Sequence, residues 1–326
     1  VRTARISSEI TFSQDRIMKY AKKSRLSMHL VFALTHLFAL GANAKFSVVA
    51  SIPDLGALVR EVGGEHVDVS VLASPRQDPH HVDPRPSLIL TLSRADLLVV
   101  NGVDLEMSWL QPLLVSARNS DIQQGAPGYF DASTAVDLLQ VPMQRIDRAM
   151  GDLHPGGNPH FNFDPRRMAK VALALAERMS RRDAAHAAHY RSRAAAFAEK
   201  LTRFADAERA RFAELALEKR KIVPYHQSLA YLSDWLMLTE IVNVEPRPGI
   251  PPDPGHVARV LSTMKQTGTS CIVQEEFYPT NVSKTLVELA KGKLVVIPGG
   301  TRFDDKQDYL THMKEVSDAL YIALSS

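Results

Sequence analysis

The chain has 326 residues, 45% of them hydrophobic and 23% charged, with a formal net charge of +3. This is globular composition, long enough for two domains with cores of their own, and it excludes collagen-like, coiled-coil and wholly disordered chains. Of 39 basic and 36 acidic residues, seven (Arg2, Arg5, Arg16, Lys19, Lys22, Lys23, Arg25) and two (Glu9, Asp15) fall within residues 1–44, so the remainder carries a net charge of −2. The basic excess belongs to the N-terminus and gives no reason to expect a nucleic-acid partner.

From Met18 the chain runs through Lys19, Lys22, Lys23 and Arg25 into an apolar stretch, Leu26 to Leu40, and then Ala42-Asn43-Ala44. A basic start, an apolar middle and a small-x-small ending make a secretory signal peptide, with residues 1–17 an upstream extension. The apolar stretch is interrupted by His29, Thr35 and His36 and is too short to span a bilayer comfortably. Nothing later approaches about 18 consecutive apolar residues. Cys271 is the single cysteine. It excludes an intrachain disulfide and a Cys-rich zinc finger, and with none at the cleavage site no lipid anchor is expected. Its run Cys271-Ile272-Val273 reads as a buried strand, in which a thiol acts as a small hydrophobe.

Phe46 to Ile52 is a β-branched apolar run and predicts a buried strand. Pro53 ends it, and Leu55, Leu58, Val59 and Val62 follow at helical spacing until Gly63-Gly64. Val67–Leu72 predicts a strand, Pro86–Arg94 a helix, and Ala95–Val100 a strand closed by Asn101-Gly102. Strands alternating with helices indicate parallel βαβ units. Asp164-Pro165 is a helix start, an N-cap followed by proline in the first turn. The next fifty or so residues, to Lys221, hold no Gly or Pro and predict one or two long helices, with a break at Arg181-Arg182-Asp183. Strands resume at Ile222–Tyr225, Ile241–Val244, Ser270–Val273 and Leu294–Ile297. Helices are expected between them at His226–Leu238, Pro254–Gln266 and Asn281–Ala290. A second α/β half therefore follows the helical stretch.

Among the histidines, His186 and His189 read as solvated residues of a polar helix, His66 as a surface residue at a loop end, and His256 and His312 as ordinary helix residues. Three others occupy junctions. His80 lies in Asp78-Pro79-His80-His81 after a parallel strand, at the carboxyl edge where α/β ligand sites sit. His160 lies in Asn158-Pro159-His160 before a helix, and His226 where a strand meets the next helix. Imidazole is the standard ligand of Zn²⁺ and other borderline divalent ions. Spacing alone leaves open a shared metal site or three separate loop histidines.

Several ordered motifs carry a resemblance: Ser51-Ile52-Pro53, Asp78-Pro79-His80, Arg94-Ala95-Asp96-Leu97-Leu98, Asn158-Pro159-His160, the strand ending Tyr225-His226, and Pro248-Gly249-Ile250-Pro251-Pro252. Over roughly residues 46–300 the chain resembles the periplasmic solute receptors of zinc and manganese ABC transporters. That resemblance implies two α/β lobes, each a mostly parallel sheet flanked by helices, joined by a long backbone helix. The lobes would be residues 45–164 and 221–326, with the linking helix region at 165–220. It implies metal ligation by His80, His160 and His226. The acidic residue following Gly299-Gly300 would be a fourth ligand. Asp305 fits that spacing, with Asp304, Glu275, Glu276 or water as alternatives, and His81 and His154 could assist capture.

Three imidazoles favour Zn²⁺, whereas Mn²⁺ favours carboxylate, so zinc is the expected cargo and manganese the alternative. The His-rich loop of many zinc receptors is missing, since Ala126 to Asp152 contains no histidine. The function implied is a monomeric, non-enzymatic periplasmic receptor that hands a divalent metal to a membrane ABC permease. A secreted zinc-dependent hydrolase is the rival, because three histidines with an open position also describe catalytic zinc. Against it stand the lack of a His-Glu-x-x-His helix and of a Gly-x-Ser-x-Gly motif. A surface adhesin or metal chaperone is a third reading. N-terminal sequencing of the exported protein should find Lys45 first; a start at Val1 or Met18 would remove the export argument.

Overall fold

Strand β1 (Phe46–Ala50) is almost wholly buried, as a central parallel strand with both faces covered must be. Pro53 follows in the first turn of helix α1 (Pro53–Gly63), where its missing N–H leaves no helical bond unmade. Gly64, at φ +59°, turns the chain into β2 (Val67–Val71). Helix α2 (Pro86–Ser93), β3 (Leu97–Val100), α3 (Leu110–Ala117) and β4 (Tyr129–Asp131) complete a first lobe. Its sheet runs β2-β1-β3-β4, and every pair is parallel. The structure is a computed structural model, and it describes residues 45–143 and 154–326; the expected signal peptide lies outside the described residues.

The Asp164 carboxylate caps α4 (Pro165–Arg182) by accepting from the Arg166 amide at 2.9 Å. The chain breaks at Asp183, where the charge cluster predicted it, and continues as α5 (Ala187–Ala213), 27 residues long. The two helices pack along each other. The second lobe follows: β5 (Lys221–Pro224), α6 (Ala230–Leu236), β6 (Thr239–Glu240), α7 (Pro254–Thr267), β7 (Cys271–Glu275), α8 (Asn281–Ala290), β8 (Lys293–Ile297) and α9 (Tyr309–Ser325). Its order, β6-β5-β7-β8, repeats that of the first lobe and is again all parallel. In each sheet the order reverses beside the first strand, and the crevice for a ligand lies beyond the carboxyl ends there. Among the described residues no helix is long and apolar enough to cross a membrane.

Several details differ from the sequence reading. α3 and β4 were not anticipated, β4 being only three residues long. The strand expected at Ile241–Val244 pairs as β6 two residues earlier; beyond it the Ile241 and Val244 amides still donate to the Ile222 and Pro224 carbonyls. The helix expected from His226 begins at Ala230, because residues 226–229 form the loop that carries His226. His186 and His189 are not freely solvated. The elbow at Asp183 brings both against His66, with ring centroids 3.9 and 4.5 Å apart. The Asp183 carboxylate receives the Tyr190 hydroxyl at 2.5 Å and pairs with His186 Nδ1 at 2.8 Å. His312 is fully buried, and His256 nearly so.

From Phe46 to Ser326 the chain is one compact unit, and one apolar core runs through both lobes. It joins Val48, Leu55 and Leu98 of the first lobe to Met168 and Leu201 of the linking helices and to Ile222, Val273 and Met313 of the second. A smaller cluster around Val223, Ile272 and Leu286 covers the other face of the second sheet. Polar ties reinforce this. Buried Asp54, at the start of α1, accepts from Asn162 Nδ2 at 2.7 Å, from the Thr301 amide at 2.8 Å and from the Thr301 hydroxyl. Arg60 donates to the Phe303 and Gln307 carbonyls and lies 4.3 Å over the Phe303 ring. Asp54→Ala strands three donors, two of them on the second lobe's last loop. It should cost about 3 kcal/mol of unfolding free energy, read as a lower denaturant midpoint at unchanged m.

Candidate metal centre

Each of the three junction histidines is fixed by its own loop. The turn Asp78–His81 after β2 is closed by the His81 amide donating to the Asp78 carbonyl. Asp78 Oδ1 then accepts from the His80 amide at 2.9 Å and meets the His80 ring at Nδ1, 2.8 Å away. Trp109 Nε1 and the Ser108 hydroxyl hold the Pro79 and His80 carbonyls from the start of α3. His160 stands at the end of Asn158-Pro159. The Asn158 side chain accepts from the His160 amide at 2.9 Å and donates to the Gln227 carbonyl of the other lobe at 2.7 Å. Asn101 Nδ2, after β3, donates to the Pro159 carbonyl at 2.8 Å. His226 follows β5, and its Nδ1 meets Glu245 Oε2 at 2.7 Å, which also accepts from the Gly249 amide. The Tyr278 ring stacks on His226, centroids 5.7 Å apart.

The three rings form a nearly equilateral triangle, with centroid separations of 5.2, 5.5 and 5.4 Å. One nitrogen from each lies within 4.8 Å of the other two, and all three residues are buried. The carboxylates Asp78 and Glu245 engage Nδ1 of His80 and His226. In the neutral ring that fixes the tautomer and leaves Nε2 with its lone pair, the arrangement metal-ligating histidines use. Sequence reasoning quoted Asp78 only as part of a motif and missed Glu245, which lies 19 residues beyond its partner. The signal for Asp78 was local, an acid two residues before a junction histidine. For Glu245 there was only its place beside the Pro248 motif.

Electrostatics divide the set. Burial and the neighbouring imidazoles hold His160 well below the ordinary histidine range, so it is neutral at pH 7. Burial would also lower His226, but the hydrogen bond and charge of Glu245 outweigh it and raise its pKa. His154 lies beside the group, its Nε2 3.2 Å from His80 Nε2, and burial pushes it down to about 4.

The remaining predicted residues divide plainly. Asp304 and Asp305 sit exposed on the turn after β8, outside the imidazole group, because Asp54 and Arg60 pin Thr301 and Phe303 and send the turn to solvent. Glu276 is exposed, as is His81, whose ring is tilted 6.2 Å from His80. Glu275 is buried at the end of β7 and lines the interlobe cleft with Asp78, His160 and Tyr278. One of its oxygens has no hydrogen-bond partner, and burial raises its pKa.

Two parallel-sheet lobes on one core, with imidazole nitrogens gathered in the crevice between them, are the build of a receptor for a divalent metal ion. The chain belongs to the family described as zinc-uptake complex component A, periplasmic, which matches residues 48–323. It is accordingly a substrate-binding component of a metal ABC transporter and not an enzyme. Among curated relatives, the manganese-binding lipoprotein MntA of Halalkalibacterium halodurans is 23% identical over 85% of this chain and 88% of its own. The metal ABC transporter substrate-binding lipoprotein ScbA of Streptococcus cristatus is 25% identical over 65% and 68%. The crystal structure of ZnuA shares the fold with a TM-score of 0.72 at 22% identity, covering 86% of this chain and 99% of that one. The laminin-binding protein Lmb of Streptococcus agalactiae does so at 0.71 and 20%, covering 86% and 100%.

Metal binding at these imidazoles must displace whatever proton they carry. His160 carries none at pH 7, whereas His226 holds its proton to higher pH because of Glu245. Binding should therefore release a proton from His226 over a pH range that reaches above that of an ordinary histidine, and affinity should fall as pH drops through its raised pKa. Calorimetry in buffers of different ionisation enthalpy counts the proton. Glu245→Gln should reduce the count and move the loss of affinity to lower pH; an unchanged count would show that His226 is not the group displaced.

Proposed function

We propose that this protein captures zinc on the exported side of the inner membrane and passes it to an ABC permease, with His80, His160 and His226 as ligands. The observation that carries the reading is the convergence of three buried ring nitrogens, from three loops and two lobes, within 4.8 Å of one another. Neutral imidazole suits zinc better than manganese, which prefers oxygen donors. Both metals appear in the names of relatives, so the donor set is the argument for zinc. Because one chain supplies all three imidazoles, a monomer suffices for capture. Residues 1–44 serve as the upstream extension and export signal. Lys45–Asp164 and 221–326 act as lobes about the linking helices.

Asp305 would need its whole turn to move inward, so the fourth position is left to water or to another donor. His80→Ala, His160→Ala and His226→Ala should each weaken zinc binding by roughly an order of magnitude or more, the scale of losses around metal sites. Asp305→Ala should change it less, since water can fill an open position on zinc. Calorimetry on metal-free protein decides: wild-type affinity in His226→Ala together with loss in Asp305→Ala would show that the site does not bridge the lobes.

A further inference from the structure

His154 belongs to a tight turn, His154-Pro155-Gly156-Gly157, closed by the Gly157 amide donating to the His154 carbonyl at 3.1 Å. Proline sets φ at the second position of such a turn, and the glycines carry the chain out of it; Gly157 stands at φ +119°, where a side chain would be strained. The Asn158 amide then donates to the Leu139 carbonyl and anchors the segment. The turn folds His154 back toward His160, and both line one small cavity with His226, Gln140, Gln227 and Pro248.

The contact with His80 is the informative one. His80 Nδ1 is committed to the Asp78 carboxylate at 2.8 Å, so its Nε2 bears a lone pair. The two Nε2 atoms face each other at 3.2 Å, with rings 30° from parallel. The His154 ring can donate from Nε2 to that lone pair, and a metal ion entering there takes the place of the shared proton. With Zn–N bonds of about 2.0–2.1 Å, neighbouring ligands of a tetrahedral zinc stand about 3.3 Å apart.

We propose that His154, which stands against His80 but outside the group of three whose nitrogens lie within 4.8 Å of one another, closes onto the metal as its fourth ligand and completes a shell of four imidazoles; this rests on the three-histidine reading above. His80, His160 and His226 are buried, whereas His154 is half-exposed on the cavity, so it is the outermost donor, the last to bind and the first to leave. A four-nitrogen tetrahedral shell discriminates against Mn²⁺, which favours oxygen-rich octahedral sites.

The test is X-ray absorption of the zinc-loaded full chain, which counts imidazoles by their outer-shell scattering, combined with competition titration using Zn²⁺ and Mn²⁺. Wild type should show four imidazoles. His154→Ala should show three and one oxygen, with zinc affinity about tenfold weaker, faster zinc dissociation and little change for manganese. His154→Gln, which keeps the size of the side chain, guards against loss of the turn and should behave alike. Three imidazoles in wild type, with both variants within twofold of its zinc affinity, would overturn the assignment and leave the three-histidine site standing. Unchanged zinc binding in His80→Ala, His160→Ala and His226→Ala would overturn the receptor reading and this assignment together.

Discussion

The site depends on a carboxylate holding the far side of a buried imidazole. An isolated imidazole in an apolar crevice can rotate, change tautomer and hydrogen-bond its neighbours. Asp78 and Glu245 remove those freedoms from His80 and His226 by taking Nδ1, so that only Nε2 faces the crevice. The same two carboxylates set the charge. Two carboxylates beside the rings make the crevice attractive to a cation. Burial raises the pKa of Glu275, the third carboxyl at this cleft.

Carboxylate pairing orients a ring only if its loop is itself held, and the loops take their positions from the sheets. Both lobes use the same parallel strand order, so each places a crevice beyond the carboxyl ends beside its first strand. What keeps the crevices opposed is not a single helix. The core is continuous from β1 through α4 and α5 to α9, and Asp54, Arg60 and Asn158 tie one lobe to the other. Packed cores do not deform continuously.

The parts of this design legible in the sequence are those that leave a periodic or local mark. The β-branched run of β1, the alternation of strands and helices, the cap at Asp164 and the break at Asp183 could be read because each rests on short-range chemistry. The junction histidines could be singled out because prolines and strand ends flank them. Long-range pairing left no mark. Nothing at His226 announces Glu245, and nothing near Asp305 shows that Asp54, some 250 residues earlier, anchors its loop. His66, His186 and His189 read as surface residues because each is polar in a polar stretch. Only the elbow at Asp183 brings them together. β4 escaped because three residues are too few for a period.

The three imidazoles are not equivalent, and the difference bears on how a receptor can bind its cargo yet surrender it. His80 and His226 are polarised by carboxylates and so are the stronger donors. His160 has its backbone fixed by Asn158 and Asn101, but among the described residues no carboxylate reaches its ring. It is the weaker base, already free of its proton at neutral pH. In the proposed site, binding at His160 would need no deprotonation, while binding at His226 would displace the proton that Glu245 favours. An incoming ion can settle first where no proton stands in the way and then displace the one on His226. Release by that route would run in reverse: a proton returning to His226 would be drawn by Glu245 and would remove the donor proposed from the second lobe. The pair that strengthens the site is thus also the one through which it can be dismantled, and a receptor lacking that carboxylate would lose both properties together.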